Sequence, residues 1–298
     1  MGQRITFFTG KGGVGKSLVA AAWAENRRQK GDRVLLVELG SHSFYSRAFQ
    51  WPYPEVQPTA VEPGLWIALW SGPGVLREYI LHLLRSEWLV HLFFENRVMS
   101  TFLQAAPGLS ELALIGKITS GIRRVGPELP FDEIVVDCFS TGHALALLRV
   151  ASAMLEVVRL GPMAEQCRTI VQTLTDAQVC RYAIVTLDGD LPKNEAMELY
   201  HALHRELKIQ PHIFLNRQLV PPVGEEVLLE CANGTGAARD FCQFLRDRQV
   251  RQSAAEQELA ANTGRVIHTL PLITETEPVH IKNQLAKLLA AVEFNHVG

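Results

Sequence analysis

Charge of either sign is not in excess in this sequence: 29 Lys and Arg stand against 31 Asp and Glu, a formal net charge of −2 over 298 residues. Without a global basic field the chain lacks the usual means of collecting nucleic acid or anionic lipid, so no nucleic-acid partner is expected. Long apolar runs are also missing, and the longest are far too short to span a bilayer, which predicts no transmembrane segment. The five cysteines, Cys138, Cys167, Cys180, Cys231 and Cys242, include no CxxC pair and no metal-ligand spacing. They read as isolated thiols in a reducing compartment. The N-terminal RITFFTGKGG follows no basic region, apolar core or cleavage site, so no secretory signal is expected and the chain reads as cytoplasmic. Met1-Gly2 with Thr6 fits a myristoylation pattern, but Ile5 and Thr6 are needed in the first strand. Internal repeats and low-complexity segments are absent.

What is present is ample core material, 47% apolar residues with 20% charged, ordinary for a globular chain. Short β-branched and aromatic runs alternate with longer helical patterns. This predicts an α/β fold with a mostly parallel sheet flanked by helices, and a single domain over 1–298. The expected strands are Arg4 to Thr9, Arg33 to Glu38, Leu65 to Trp70, Glu133 to Asp137, Arg181 to Leu187, His212 to Asn216 and Arg265 to Leu270. Residues 74–125 carry helical patterns without an intervening strand and read as a helical insertion. There Leu89, Leu92, Phe93, Met99, Phe102 and Leu103 fall near helical spacing and Phe94 widens the apolar face, either a layer packed on the sheet or a groove for a hydrophobic protein client. The turn-rich stretch from Gly40 to Gly64 reads either as a ligand-responsive loop or as an irregular surface connection.

Gly10-Lys11-Gly12-Gly13-Val14-Gly15-Lys16-Ser17 fits GxxxxGK[ST] between a strand and a helix. Glycines let backbone N–H groups turn onto phosphates and the helix N-terminus adds a favourable field. Lys16 reaches the terminal phosphates and Ser17 can ligate magnesium. Gly10, Gly12 and Gly15 also satisfy GxGxxG, with Glu38 at a distance suited to a ribose hydroxyl. A dinucleotide fold, however, has no use for Lys16-Ser17. Asp137 closes the apolar strand EIVVD, where a carboxylate can accept from magnesium-bound water or cap the following turn. Thr141-Gly142-His143 supplies flexible backbone and polar groups beside it. Asn216, at a strand end, can hydrogen-bond an adenine edge or cap a turn. Asp188, Asp190 and Glu195 in DGDLPKNEAMEL are explained by helix capping.

Lys11 inside GKGGVGKS makes the sequence resemble the deviant Walker A proteins, which include MinD, ParA, the nitrogenase iron protein and the ArsA family. The run Asp137-Cys138-Phe139-Ser140-Thr141-Gly142-His143-Ala144-Leu145 resembles the ArsA switch II pattern DTAPTGHTL. Pro107-Gly108-Leu109-Ser110-Glu111-Leu112 resembles the family's PG-x-x-E segment, Phe214-Leu215-Asn216-Arg217 its adenine-recognition strand, and Leu270-Pro271-Leu272 ends the similarity. Short bacterial ArsA-like proteins are the nearest in pattern.

The resemblance implies ATP and Mg2+ as ligands. Gly10 through Ser17, Asn216 and Pro271 would lie on the nucleotide, Ser17 and, through water, Asp137 on the metal, and Lys11 and Lys16 would act on the reacting phosphates. It further implies that Lys11 reaches across a dimer to the partner's nucleotide, in a homodimer or a heterodimer with an ArsA-like paralogue. Two departures stand out. Gly40 occupies the place of the family's water-orienting Asp, and Ser140 replaces the switch II proline. Glu38 is the candidate catalytic carboxylate nearest in sequence, but two residues along an extended strand is a displacement of roughly 6 to 7 Å. A slow ATPase, a nucleotide-bound partner subunit and a protein- or membrane-targeting factor are the classes left open.

Overall fold

The computed structural model describes residues 2–84, 108–126, 128–292 and 294. The buried runs RITFFT and VLLVEL form β1 (Arg4–Thr9) and β2 (Val34–Leu39), with α1 (Lys16–Gln29) between them. There follow α2 (Phe44–Phe49), β3 (Thr59–Glu62), β4 (Leu65–Trp70), α3 (Gly72–Leu84), α4 (Leu109–Ile118), α5 (Ser120–Arg123) and β5 (Glu133–Asp137). The remainder is α6 (Thr141–Val157), α7 (Pro162–Thr175), β6 (Cys180–Thr186), α8 (Asp190–Leu207), β7 (His212–Gln218), α9 (Glu225–Ala232), α10 (Ala237–Thr263), β8 (Ile267–Pro271) and α11 (Pro278–Leu289).

Among the described residues the strands form one sheet of eight in the order β3-β4-β2-β5-β1-β6-β7-β8. All neighbours run parallel except β3 and β4. Both faces are covered, as the near-continuous apolar character of the central strands requires. Strand residues alternate between two cores: Phe7, Val37, Val136 and Ile184 face α4, α6, α7 and α8, whereas Phe8, Leu36, Val135 and Val185 face α1 and α11. The fold class expected from the sequence is the one observed.

The Gly40–Gly64 stretch is more ordered than its turn residues suggest. Ser43 caps α2, its hydroxyl accepting from Ser46 N at 3.1 Å. Phe44, Tyr45, Phe49 and Trp51 pack on one another with ring centroids 4.7–6.4 Å apart. Strand β3 then returns through Pro63-Gly64, where Gly64 holds φ 83°, to pair with β4 at the sheet edge. The side chain of Lys282 on α11 is 2% exposed and closes this region from below. Its ammonium pairs with Glu25 at 3.3 Å and Glu62 at 3.2 Å and lies 5.3 Å from the centre of the Trp51 ring.

Of residues 74–125, the described parts are the helices α3, α4 and α5 with their connections, α3 lying against α4 through the Glu78–Lys117 pair. Leu89, Leu92, Phe93, Phe94, Met99, Phe102, Leu103 and Pro107 lie outside the described residues. The reading of five isolated cysteines is corrected by a disulfide between Cys231 on α9 and Cys242 on α10, with Cα atoms 6.0 Å apart. Eleven residues apart in sequence, the two meet only because the helices carrying them fold back on each other. Cys138, Cys167 and Cys180 are free and buried. Among the described residues no helix is long and apolar enough to cross a membrane.

Candidate functional site

The glycine-rich loop leaves β1 at the centre of the sheet, between β5 and β6, at the carboxyl ends of the parallel strands, where open α/β sheets bind ligands. Its glycines are required by contact and by conformation. A Cβ on Gly10 would stand 2.1 Å from Val185 O, and Gly10, Gly13 and Gly15 hold φ of 151°, 88° and 90°. By contrast, nothing lies within 4 Å of the Cβ positions of Gly12 and Gly13, so the cradle is open on that side. Gly15 is the N-cap of α1, whose first turn carries no acidic residue. An anion is therefore met by unopposed N–H groups.

Beneath the loop, cross-strand register sets Glu38 and Phe8 on either side of Asp137. Lys16 Nζ donates to Asp137 Oδ1 at 2.5 Å. The Tyr45 hydroxyl donates to Asp137 Oδ2 at 3.1 Å and lies 3.2 Å from Ser17 O. Burial and the Asp137 charge push the Tyr45 phenol well above its usual range, so it remains a donor. Asp137 is thus tied to the loop lysine and to α2 rather than capping its own turn. The N-cap of α6 is Ser140.

Glu38 Oε1 accepts from Phe44 N at 2.6 Å, while its Oε2 is buried without a partner. Burial raises its carboxyl above the usual range, and the nearby Asp137 charge adds to the effect. Gly40 holds φ 150° with nothing within 4 Å of its Cβ position.

Lys11 pairs with Glu195 on α8, and Thr141 Oγ1 donates to the other oxygen of that carboxylate at 3.3 Å. Sequence reasoning assigned Glu195 to capping, as it did Asp188, which instead pairs with Arg248 on α10 at 2.9 Å. The N-cap of α8 is Gly189, with no side-chain cap. A carboxylate one turn inside a helix that follows a strand end was the available signal. His143 is exposed, its ring edge-on to Phe139 at 5.5 Å.

Asn216 is buried beneath the loop, its Nδ2 donating to Val14 O at 2.8 Å. A Cβ on Gly15 would come within 2.5 Å of that nitrogen, with the Arg217 guanidinium 3.8 Å away. Pro271 ends β8 opposite Gln218, two residues beyond Asn216. Asn216, Arg217 and Gly15 are thus brought together, and Arg217 is the addition that the sequence alone did not single out.

These residues fit a magnesium nucleotide. The glycine cradle admits no side chain at Gly10 or Gly15, Lys16 supplies a cation, and Asp137 and Ser17 supply hard oxygens of the kind magnesium takes.

The family of anion-transporting ATPases, ArsA, matches over residues 3–182. ATPase BagA of Mycobacterium tuberculosis is 29% identical over 247 residues, 78% of this chain and 70% of that protein. An arsenical pump-driving ATPase of Escherichia coli is 28% identical over 249 residues, 78% of this chain but 41% of its own length. Another, from Acidiphilium multivorum, is 27% identical over 196 residues, 60% of this chain and 33% of its own. The chain thus spans well under half the length of those two pump-driving relatives. With the family matched over more than half its residues and the phosphate cradle in place, the chain belongs to the ArsA family of nucleotide-binding ATPases.

Proposed function

We propose that the chain binds MgATP at a dimer interface and uses it as a conformational switch, with slow hydrolysis. Gly10 to Gly15 and the start of α1 would hold the phosphates, Lys16 the terminal phosphate charge and Ser17 the metal directly, with Asp137 reaching it through water. The metal, when bound, neutralises charge on the phosphate oxygens. Lys16 would exchange Asp137 for phosphate, and the released carboxylate remains oriented by the Tyr45 hydroxyl. Lys11 would leave Glu195 for the nucleotide of the second protomer.

One observation carries the slow-hydrolysis reading: where the family's water-orienting carboxylate is expected there is a glycine, and the nearest replacement, Glu38, is engaged with the Phe44 amide. Orienting the attacking water is a large part of catalysis in phosphoryl transfer. The same observation supports the alternative of a hydrolysis-impaired subunit paired with an ArsA-like paralogue, recognisable by turnover that appears on mixing. An apolar client is favoured by a cleft of about 610 Å³ between α3, α4 and α7, lined by Leu76, Leu109, Leu112 and Ile170. Nucleotide-dependent capture of an apolar helix would test it.

The deciding experiment is single-turnover ATP hydrolysis by the unmodified protein. Slow turnover, little changed by Glu38→Gln, is expected. Brisk turnover abolished by that substitution would make Glu38 the water-orienting group and overturn the reading.

A further inference from the structure

At the opposite end of the parallel strands from the glycine-rich loop, the start of β6, the end of α8 and the approach to β8 enclose a cleft of about 200 Å³ whose lining includes Arg181, Lys208, Arg265, Gln210 and His212. It bears three basic side chains, and among the described residues no Asp or Glu lines it.

The carboxylates that act on Arg181 are already committed. Glu133 takes Arg4 at 3.1 Å and Arg27 at 3.7 Å, and Asp32 takes Arg4 at 3.2 Å together with Arg27. The guanidiniums of Arg4 and Arg27 thus stand between Arg181 and these two carboxylates, neither of which forms a salt bridge with Arg181. The Nε of Arg181 is buried with no hydrogen-bond partner, and its guanidinium lies 5.8 Å from the centre of the Phe294 ring. Asp176, between α7 and β6, is occupied in turn by the Gln178 amide at 2.9 Å. Arg265 donates to Gln210 Oε1 at 3.2 Å, which holds both side chains at the wall of the cleft.

Opposing these cations are the carbonyl ends of α7 and α8, each equivalent to roughly half a negative charge. The sum remains positive. A desolvated guanidinium with an orphaned N–H is costly unless a charged acceptor completes it.

We infer that this cleft is a binding site for a small, multiply charged oxyanion, a phosphorylated or polycarboxylate metabolite, held by Arg181, Lys208 and Arg265. It is separate from the nucleotide site: Arg181 and Val185 stand at opposite ends of β6, about 13 Å apart at the rise of an extended strand, and Val185 O is the atom against which Gly10 packs. The volume suits a ligand no larger than a tricarboxylate or a phosphorylated small acid.

The test is calorimetric titration of the full chain with inorganic phosphate and with citrate, in a Lys16→Ala background that weakens anion binding at the glycine-rich loop. Saturable binding of at least one probe is expected, weakened tenfold or more by Arg265→Gln and about threefold by the exposed Lys208→Gln. Preference for phosphate or for citrate distinguishes a phosphoryl from a carboxylate ligand. Arg181→Gln should abolish binding; should that variant not fold, the other two carry the test. Absence of binding by both probes, binding indifferent to Arg265→Gln and Lys208→Gln, or equal competition by chloride would each overturn the assignment.

Discussion

Replacing Glu195 by Gln releases Lys11 from its intrachain partner without removing a side chain. The pair is partly wet, with side chains 32% and 28% exposed, so it belongs with surface ion pairs contributing about 0.2 to 1 kcal/mol. If Lys11 has to leave Glu195 before it reaches the nucleotide of a second protomer, that amount opposes association once per protomer. A dimer carries two such pairs, and removing both favours it by about 0.4 to 2 kcal/mol, roughly twofold to thirtyfold in its association constant. Sedimentation equilibrium with a non-hydrolysable ATP analogue measures this directly. Glu195→Gln should dimerise more tightly than the unmodified chain with the analogue and not without it. The difference should shrink as salt screens the original pair, and it should vanish in a Lys11→Ala background. Weaker nucleotide-dependent association of Glu195→Gln would refute the reasoning, because Glu195 would then be aiming Lys11 rather than retaining it.

Gly40→Asp restores the family's carboxylate in composition but not in backbone. At φ 150° a side chain is strained whatever the room around it, so about 1 to 3 kcal/mol of stability should be lost with little gain in turnover; unchanged denaturation with accelerated hydrolysis would contradict this. Glu25, in the Lys282 pair, has its carboxyl raised by burial, but Arg28, Lys282 and Gln29 together outweigh that and hold it at about 2. Because the folded value lies below the usual one near 4.5, its contribution, on the order of 3 kcal/mol, is complete above that value and is lost as pH falls towards 2. Denaturant melts across that window should show Glu25→Gln less stable than the unmodified chain at neutral pH and equal to it at the acid end.

The central parallel strands β1, β2, β5 and β6 were legible because each is a short run buried on both faces, and the glycine-rich loop because its chemistry fixes residue types at fixed spacing. Strand β3 escaped because Thr59–Glu62 is only half buried and stands among prolines; its pairing is set by β4 and not by its own pattern. The contacts of Asn216 and Glu195 were hidden for another reason. Asn216 meets Val14 across 202 residues and Glu195 meets Lys11 across 184, so their contacts exist only once the sheet is assembled. The Cys231–Cys242 bond depends in the same way on two helices doubling back.

The aromatic packing of the segment after β2 has a mechanical consequence. Phe44, Tyr45, Phe49 and Trp51 interlock, and the Lys282 ammonium lies over both Phe49 and Trp51, so α2 has little freedom to yield one residue at a time. A displacement of Asp137 or Glu38, to which Tyr45 and Phe44 are bonded, is met by a stiff wedge and not by a slack loop. Such a wedge transmits force to α11, which packs against both α1 and α2, and a tryptophan lies in the path. The intrinsic fluorescence of Trp51 would register that displacement as it happens.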